Sequence, residues 1–335
     1  MKAVVLEQHG GLEQLKYTAD FPDPKVSEGH VVIRVRASSL NYHDVFTVRG
    51  MPGIKVPLPV IIGLDMAGEI LEVGPGVDPT WKKADRVLVN PLNRHQGLMG
   101  EMLNGGLAEK CLVAQHQLIR MPDGVTFEQA AALPVAYGTA HRMLLTHGTV
   151  RAGDKVLVLG ASGGVGTGCV ILAKMLGAEV IACAGSADKL ARLMELGADH
   201  AINYKETDFS KWAVEKYGKP QRRTYDGGVD VVINFTGGDT WQPSLRCVKR
   251  GGKILVCGAT AGYDPKEDLR YVWSFELQII GSNSFYDDNL QALMGLIAQG
   301  KMTPVIDKVL PLKDAAEGVR LIQEREVFGK VIVTP

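Results

Sequence analysis

The 335 residues are 46% hydrophobic and carry 37 Lys plus Arg against 37 Asp plus Glu, so the formal net charge is zero. That length and apolar content support a sizeable core and more than one domain, and the balanced charge offers no basic field to nucleic acid or an anionic membrane. No apolar run approaches the roughly 18 residues that span a bilayer. The opening MKAVVLEQHGG reads as a first strand rather than a signal peptide, so a soluble, cytoplasmic protein is expected.

Residues 1–124 are rich in strand signals. The runs KAVVLE (2–7), VVIRVRASSL (31–40), MAGEILEV (66–73), DRVLVN (85–90) and AEKCLVAQHQLI (108–119) are separated by turn clusters such as GPGVDPT and NGG. Short strands with frequent turns suggest a barrel-like β domain. Within it, SSLNYHDVFTVRG (38–50) sets Tyr42, His43 and Asp44 side by side after an apolar strand. Asp44 is expected to cap the helical turn that follows, since Asp favours the N-cap. The loop residues Arg94 and His95 are expected to be exposed.

From residue 125 strands and helices alternate. KVLVLG (155–160), EVIACA (179–184), HAINY (200–204), VDVVINF (229–235), KILVCG (253–258) and LQIIGS (277–282) read as six strands. The helical patterns between them, such as VGTGCVILAKMLG and SADKLARLMELG, end at glycines suited to a helix C-cap. Continuous apolar strands with intervening helices predict a parallel sheet covered on both faces. After about 285 come a helix, a strand-like VIDKVLP, another helix and a last strand KVIVTP. This tail is expected to return to the first domain. The domains are therefore read as 1–124 with 285–335, and 125–284. The five cysteines, Cys111, Cys169, Cys183, Cys247 and Cys257, form no CxxC pair and read as buried thiols of a reducing compartment.

The strongest local signal is VLVLGASGGVGTG (156–168), a strand that runs into a glycine cluster and opens an apolar helix. Glycines there permit a tight turn and close backbone approach, and a helix N-terminus offers amides to a pyrophosphate. The strict GxGxxG spacing is not met, because Ala161 occupies its first glycine position. The surrounding βαβ pattern nevertheless makes dinucleotide binding the stronger reading. An acid at the end of the second strand would take the ribose hydroxyl of NAD. Ala184 and Gly185 stand there, followed by Ser186 and Lys189, with Tyr204 ending the next strand. A hydroxyl, an ammonium and a phenol suit a 2′-phosphate and point to NADP(H). The other reading leaves Lys189 solvated and sends Asp188 to the ribose. Ligands sit at strand C-termini in such sheets, so Asn234, Phe235 and Thr236, and Gly258, Ala259 and Thr260, are expected on the nicotinamide side. Phe285 and Lys330 are further candidates.

RASSLNYHDVF, IIGLDMAGEILEVGPGV, GGLAEKCLVAQHQLIRMP, AALPVAYGTAHRML, LVLGASGGVGTG and FGKVIVTP, in this order across the whole chain, resemble the medium-chain dehydrogenase/reductase superfamily. The resemblance implies an α/β architecture: a GroES-like β-barrel domain plus a six-stranded doubly wound Rossmann domain, assembled as a homodimer or homotetramer. It carries over Thr139 near the pyrophosphate or nicotinamide. It also carries over Gly163, Gly164, Val165 and Gly166 at the pyrophosphate, and Ser186, Lys189 and Tyr204 at the 2′-phosphate. In the zinc enzymes of the family a metal-binding Cys falls on Asn41, a His on Leu64 and a later ligand near Pro134-Val135. The stretch 90–106, where a structural zinc lobe would lie, holds no Cys. A catalytic zinc needs about three protein ligands, so no metal is expected and the chain is similar to the zinc-free quinone oxidoreductase and enoyl reductase branch. A Tyr that many zinc-free relatives carry is Pro52 here.

Without a Lewis acid, a conjugated C=C or a quinone is easier to reduce than a plain carbonyl. The expected activity is therefore NADPH-dependent hydride transfer to an enal, enone, enoyl thioester or quinone. The rivals are an NAD(P)-linked alcohol dehydrogenase and a non-catalytic dinucleotide sensor. Asn41, Tyr42 and His43 are the candidate catalytic groups: an amide donor, and two groups that can donate or relay a proton. Two readings stand for Tyr42, substrate contact or packing, and two for His43, acid or hydrogen-bonded turn residue.

Overall fold

The computed structural model describes residues 1–335, which form two compact units, Met1–Ala136 with Asp287–Pro335, and Tyr137–Tyr286. The first unit runs past residue 124 because the helix Phe127–Ala131 packs on the strands His30–Leu40 and Asp65–Val73.

In the first unit the strand His30–Leu40 is the spine. It pairs antiparallel with Asp65–Val73, with Lys110–Ala114 and, at Ser38–Leu40, with the last strand Lys330–Thr334. One face of these strands and of Arg86–Val89, which pairs with Asp65–Val73, buries Val31, Ile33, Val35, Met66, Ile70, Val87 and Val89. A second cluster gathers Leu6, Leu40, Val45, Val48, Ile61, Val319, Val331 and Val333. It seats the helix Tyr42–Arg49 against the helix Ala315–Gln323. No helix of the chain is long and apolar enough to cross a membrane.

The second unit is a six-stranded, all-parallel sheet in the order 200–203, 179–184, 155–158, 229–233, 248–256, 278–281. The order reverses beside Lys155–Val158, which creates the crevice where such sheets take ligands. The strand expected at 253–258 begins at Val248 instead, with a register shift against Val229/Val231 and a turn at Gly251, φ +71°. The strand expected at 155–160 stops at Val158, because Gly160 turns the chain at φ +63°. The helical patterns end at Gly177 (φ +81°) and Gly197 (φ +100°), left-handed positions that a residue with a Cβ adopts at a cost.

Candidate active site

Gly160 turns the chain out of the strand, Gly163 is the extended N-cap, and the helix Gly164–Met175 follows. A Cβ on Gly166 would lie 2.4 Å from the Gly160 carbonyl oxygen and 2.6 Å from Ala161 Cα. Only glycine lets the helix come this close to the loop. The amides of Gly164, Val165 and Gly166 open the helix and have no preceding turn to bond to. The Phe235 ring closes on Gly160, 3.1 Å from where its Cβ would be.

At the end of the strand Glu179–Ala184, Ser186 caps the helix Ala187–Glu195, and its hydroxyl oxygen accepts the Lys189 amide at 3.5 Å. Tyr204 is 44% exposed, and its hydroxyl stands 2.6 Å from a Cβ position on Gly185, so only a residue without a side chain admits the phenol. The Lys205 side chain reaches the same spot at 3.1 Å. The Tyr204 and Lys205 side chains thus meet beside Gly185, next to Ser186 and the backbone amide of Lys189. Lys205 has no motif of its own; its only signal was its place directly after Tyr204.

The loops after the fourth and fifth strands are joined, Thr260 N–H donating to Phe235 O at 3.1 Å and Ala261 N–H to Thr236 O at 2.7 Å. Gly258 and Ala259 lie within this paired loop. Asn234, expected to face the nicotinamide, is fully buried. Its Oδ1 accepts from Thr236 N–H (3.1 Å), Gly237 N–H (2.9 Å) and Thr240 Oγ1 (3.3 Å), and its Nδ2 donates to Ser244 Oγ at 3.0 Å. The amide is consumed in shaping the loop. Thr139 and Phe285 are also buried.

In the first unit Asn41, not Asp44, is the N-cap of the helix Tyr42–Arg49. Asp44 answers from inside the first turn. Its carboxylate accepts the Asn41 N–H at 2.7 Å and the Gly63 N–H at 3.2 Å. Burial pushes its pKa up to about 6, held back by the Asn41 amide and by His43.

The Asn41 side chain donates to Asp65 Oδ2 at 2.8 Å and to Ser39 O at 3.4 Å, and accepts from Lys330 Nζ at 2.5 Å. No amide hydrogen is left for a substrate, which corrects the reading of Asn41 as a donor. Lys330, a candidate for the cofactor side, is 2% exposed and also donates to Leu40 O at 2.8 Å. It stands 3.7 Å from Asp65. Asp65 accepts the Val135 N–H at 3.1 Å as well. Burial pushes Asp65 up and Lys330 down, and each charge holds the other back.

The family resemblance puts the ligands of the zinc enzymes at Asn41, Leu64 and near Val135, and the residues at those positions do not fit the metal. Leu64 is a buried hydrophobe, Val135 presents a backbone amide, and Asp65 is engaged by an amide, a backbone N–H and an ammonium. No three His, Cys, Asp or Glu are gathered so as to hold an ion.

His43 and Tyr42 point to different ends. The Tyr42 ring packs on the apolar cluster, edge-on to Phe46 with centroids 5.0 Å apart. His43 Nε2 bonds Glu101 Oε2 at 2.6 Å, with the Glu101 side chain 7% and the His43 side chain 28% exposed. Burial lowers the His43 pKa, but the hydrogen bond and charge of Glu101, with Asp44 and Asp65 behind, outweigh it and the net shift is upward. Glu101 was missed: nothing in GLMGEMLNGG ties it to a histidine 58 positions earlier. Arg94 is exposed, 3.7 Å from Asp287, and His95 stacks edge-on to His116.

Family models match in both parts of the chain, an alcohol dehydrogenase GroES-like domain at residues 27–123 and a zinc-binding dehydrogenase at residues 164–299. Crotonyl-CoA reductase of Streptomyces avermitilis is 31% identical over 93% of this chain and 80% of its own length. Acryloyl-coenzyme A reductase of Sulfurisphaera tokodaii is 31% identical over the full length of both. Quinone oxidoreductase of Homo sapiens is 29% identical over 99% of this chain and 97% of its own. Among solved structures, an NAD-dependent alcohol dehydrogenase superposes with a TM-score of 0.91 at 36% identity, covering both chains fully. The 2-octenoyl-CoA carboxylase reductase CinF, in complex with NADP and 2-octenoyl-CoA, superposes with a TM-score of 0.86 at 29% identity, over 99% of this chain and 87% of its own.

Proposed function

The chain belongs to the medium-chain dehydrogenase/reductase superfamily, on its enoyl and quinone reductase-like branch, and from that premise we propose that this oxidoreductase is NADPH-dependent, zinc-independent and acts on an activated C=C, with an enoyl thioester as the leading substrate class. The observation that carries this reading is the Lys330–Asn41–Asp65 network. An amide stands at one of the family's metal positions and is itself bound to a buried ammonium and to Asp65, so these residues offer no ligand set for a Lewis acid that would polarise an isolated carbonyl.

Ser186, Lys189, Tyr204 and Lys205 support NADPH over NADH. Two ammoniums, a hydroxyl and a phenol suit a dianionic 2′-phosphate, and the strand itself ends in Ala184 and Gly185, with Asp188 the carboxylate in the first turn of the helix that follows. The amides of Gly164, Val165 and Gly166 would hold the pyrophosphate. Bound there, NADPH would supply the hydride for the β-carbon of the substrate. The chain must then orient the acceptor, stabilise the enolate oxygen and deliver a proton to the α-carbon.

The test is NADPH consumption against enoyl-CoA thioesters, enals, enones and quinones, with the metal content of the active protein measured alongside. Reduction of a conjugated acceptor by metal-free protein is the expected result. A second reading, NAD-linked alcohol oxidation, is favoured by the likeness to the NAD-dependent alcohol dehydrogenase structure. Stoichiometric zinc with chelator-sensitive alcohol oxidation would establish it instead.

A further inference from the structure

The turn that carries Glu101 is built to deliver it. Gly100 has φ +71°, and its N–H bonds the Leu103 carbonyl at 2.7 Å. A Cβ on Gly100 would come within 2.8 Å of the Gly63 backbone, so the turn lies directly on Gly63. Gly63 in turn donates its amide to Asp44, one residue beyond His43. Glu101 is therefore fixed relative to the first turn of the helix Tyr42–Arg49. Its buried carboxylate meets His43 Nε2 at 2.6 Å. The other ring nitrogen, Nδ1, has no protein partner, and the side chain is 28% exposed. One nitrogen anchored to a buried carboxylate and the other open is the arrangement that lets imidazole pass a proton in a set direction.

We propose that His43 is the proton donor of the reduction and that Glu101 is its positioning residue. The inference rests on the reading of the chain as a C=C reductase. After hydride addition at the β-carbon, the electron pair of the C=C lies on the substrate as an enolate. Nδ1–H of the imidazolium then gives its proton to the α-carbon as the carbonyl re-forms. The N–H bond breaks, a C–H bond forms, and neutral His43 regains a proton from water. Glu101 keeps Nε2 protonated throughout and favours the charged ring. The other charged groups facing His43 are Asp44 and Asp65, with Lys330 behind them. Both carboxylates favour the imidazolium, so Glu101 is the nearest of three acids and the one that also sets the ring's orientation.

The test compares wild type, His43→Gln, Glu101→Gln and Glu101→Asp for NADPH binding, kcat, KM and the pH dependence of kcat/KM, using the best acceptor from the screen. The acid form is active, so wild-type kcat/KM falls as pH rises through the His43 pKa. His43→Gln is expected to lower kcat about 10²- to 10⁴-fold and remove that limb. Glu101→Gln is expected to lower kcat roughly tenfold or more and move the limb to lower pH, with KM and NADPH affinity nearly unchanged. Glu101→Asp should recover part of the rate. If both Gln variants bind NADPH and turn over within about threefold of wild type with an unmoved limb, the dyad is overturned and the reductase reading stands. A wild-type protein that binds NADPH yet reduces no conjugated acceptor overturns both.

Discussion

The glycine turn of the second unit is built from one short run of chain, Gly160–Gly166, whereas the polar cluster of the first unit gathers side chains from Asn41 to Lys330. The loop presents backbone amides, so its sequence signal is the absence of side chains at fixed spacing. The cluster works through side chains whose roles depend on partners distant in sequence. A local site announces itself; a distributed one must be seen folded.

The contrast can be tested by substitution. The largest effect is expected at Lys330→Met, which leaves Asp65 buried beside an unpaired amide oxygen of Asn41. Breaking a buried pair from one side costs about 3–5 kcal/mol, to be read from denaturant unfolding. A loss below about 1 kcal/mol would mean that Asp65 is carried by its amide donors alone. Next comes Gly166→Ala, where the new methyl must push against Gly160 and Ala161 backbone. Overpacking of this kind costs about 1–3 kcal/mol, expected mainly as lost NADPH affinity by titration calorimetry. Unchanged affinity would remove the loop from the cofactor site.

Lys189→Ala is expected to weaken NADPH roughly tenfold and leave NADH nearly unchanged. Equal losses would withdraw the 2′-phosphate assignment. The smallest effect is expected at Tyr42→Phe. The ring packs on Phe46 and the apolar cluster, so turnover and stability should stay within about 0.5 kcal/mol. A large drop in kcat would return the Tyr42 hydroxyl to the chemistry.

Much of the architecture was legible because periodicity and turn residues report local structure. The six parallel strands, their helices and the glycine turn all follow from short contiguous runs of sequence. The candidate site divides along the same line. Gly163, Gly164, Val165 and Gly166 stand at the helix start where the pattern puts them. Asn234 ends a strand at the ligand-facing edge, and that position alone suggested a cofactor contact, yet its amide is spent on Gly237, Thr240 and Ser244. Asn41 and Lys330 lie 289 positions apart, and no pattern within either segment reveals that they bond each other. Glu101 carries no signal at all until the Gly100 turn is folded onto Gly63.

Because the ammonium that neutralises Asp65 comes from the last strand, the first unit has a fixed place in the order of synthesis. The second unit is continuous, Tyr137–Tyr286, and all of it has left the ribosome before Lys330 is made. Until then the strand His30–Leu40 lacks its partner at Ser38–Leu40, and Asp65 has no countercharge. The nascent chain therefore completes its second unit first, and the unit that bears His43 closes only once the strand Lys330–Thr334 has been made.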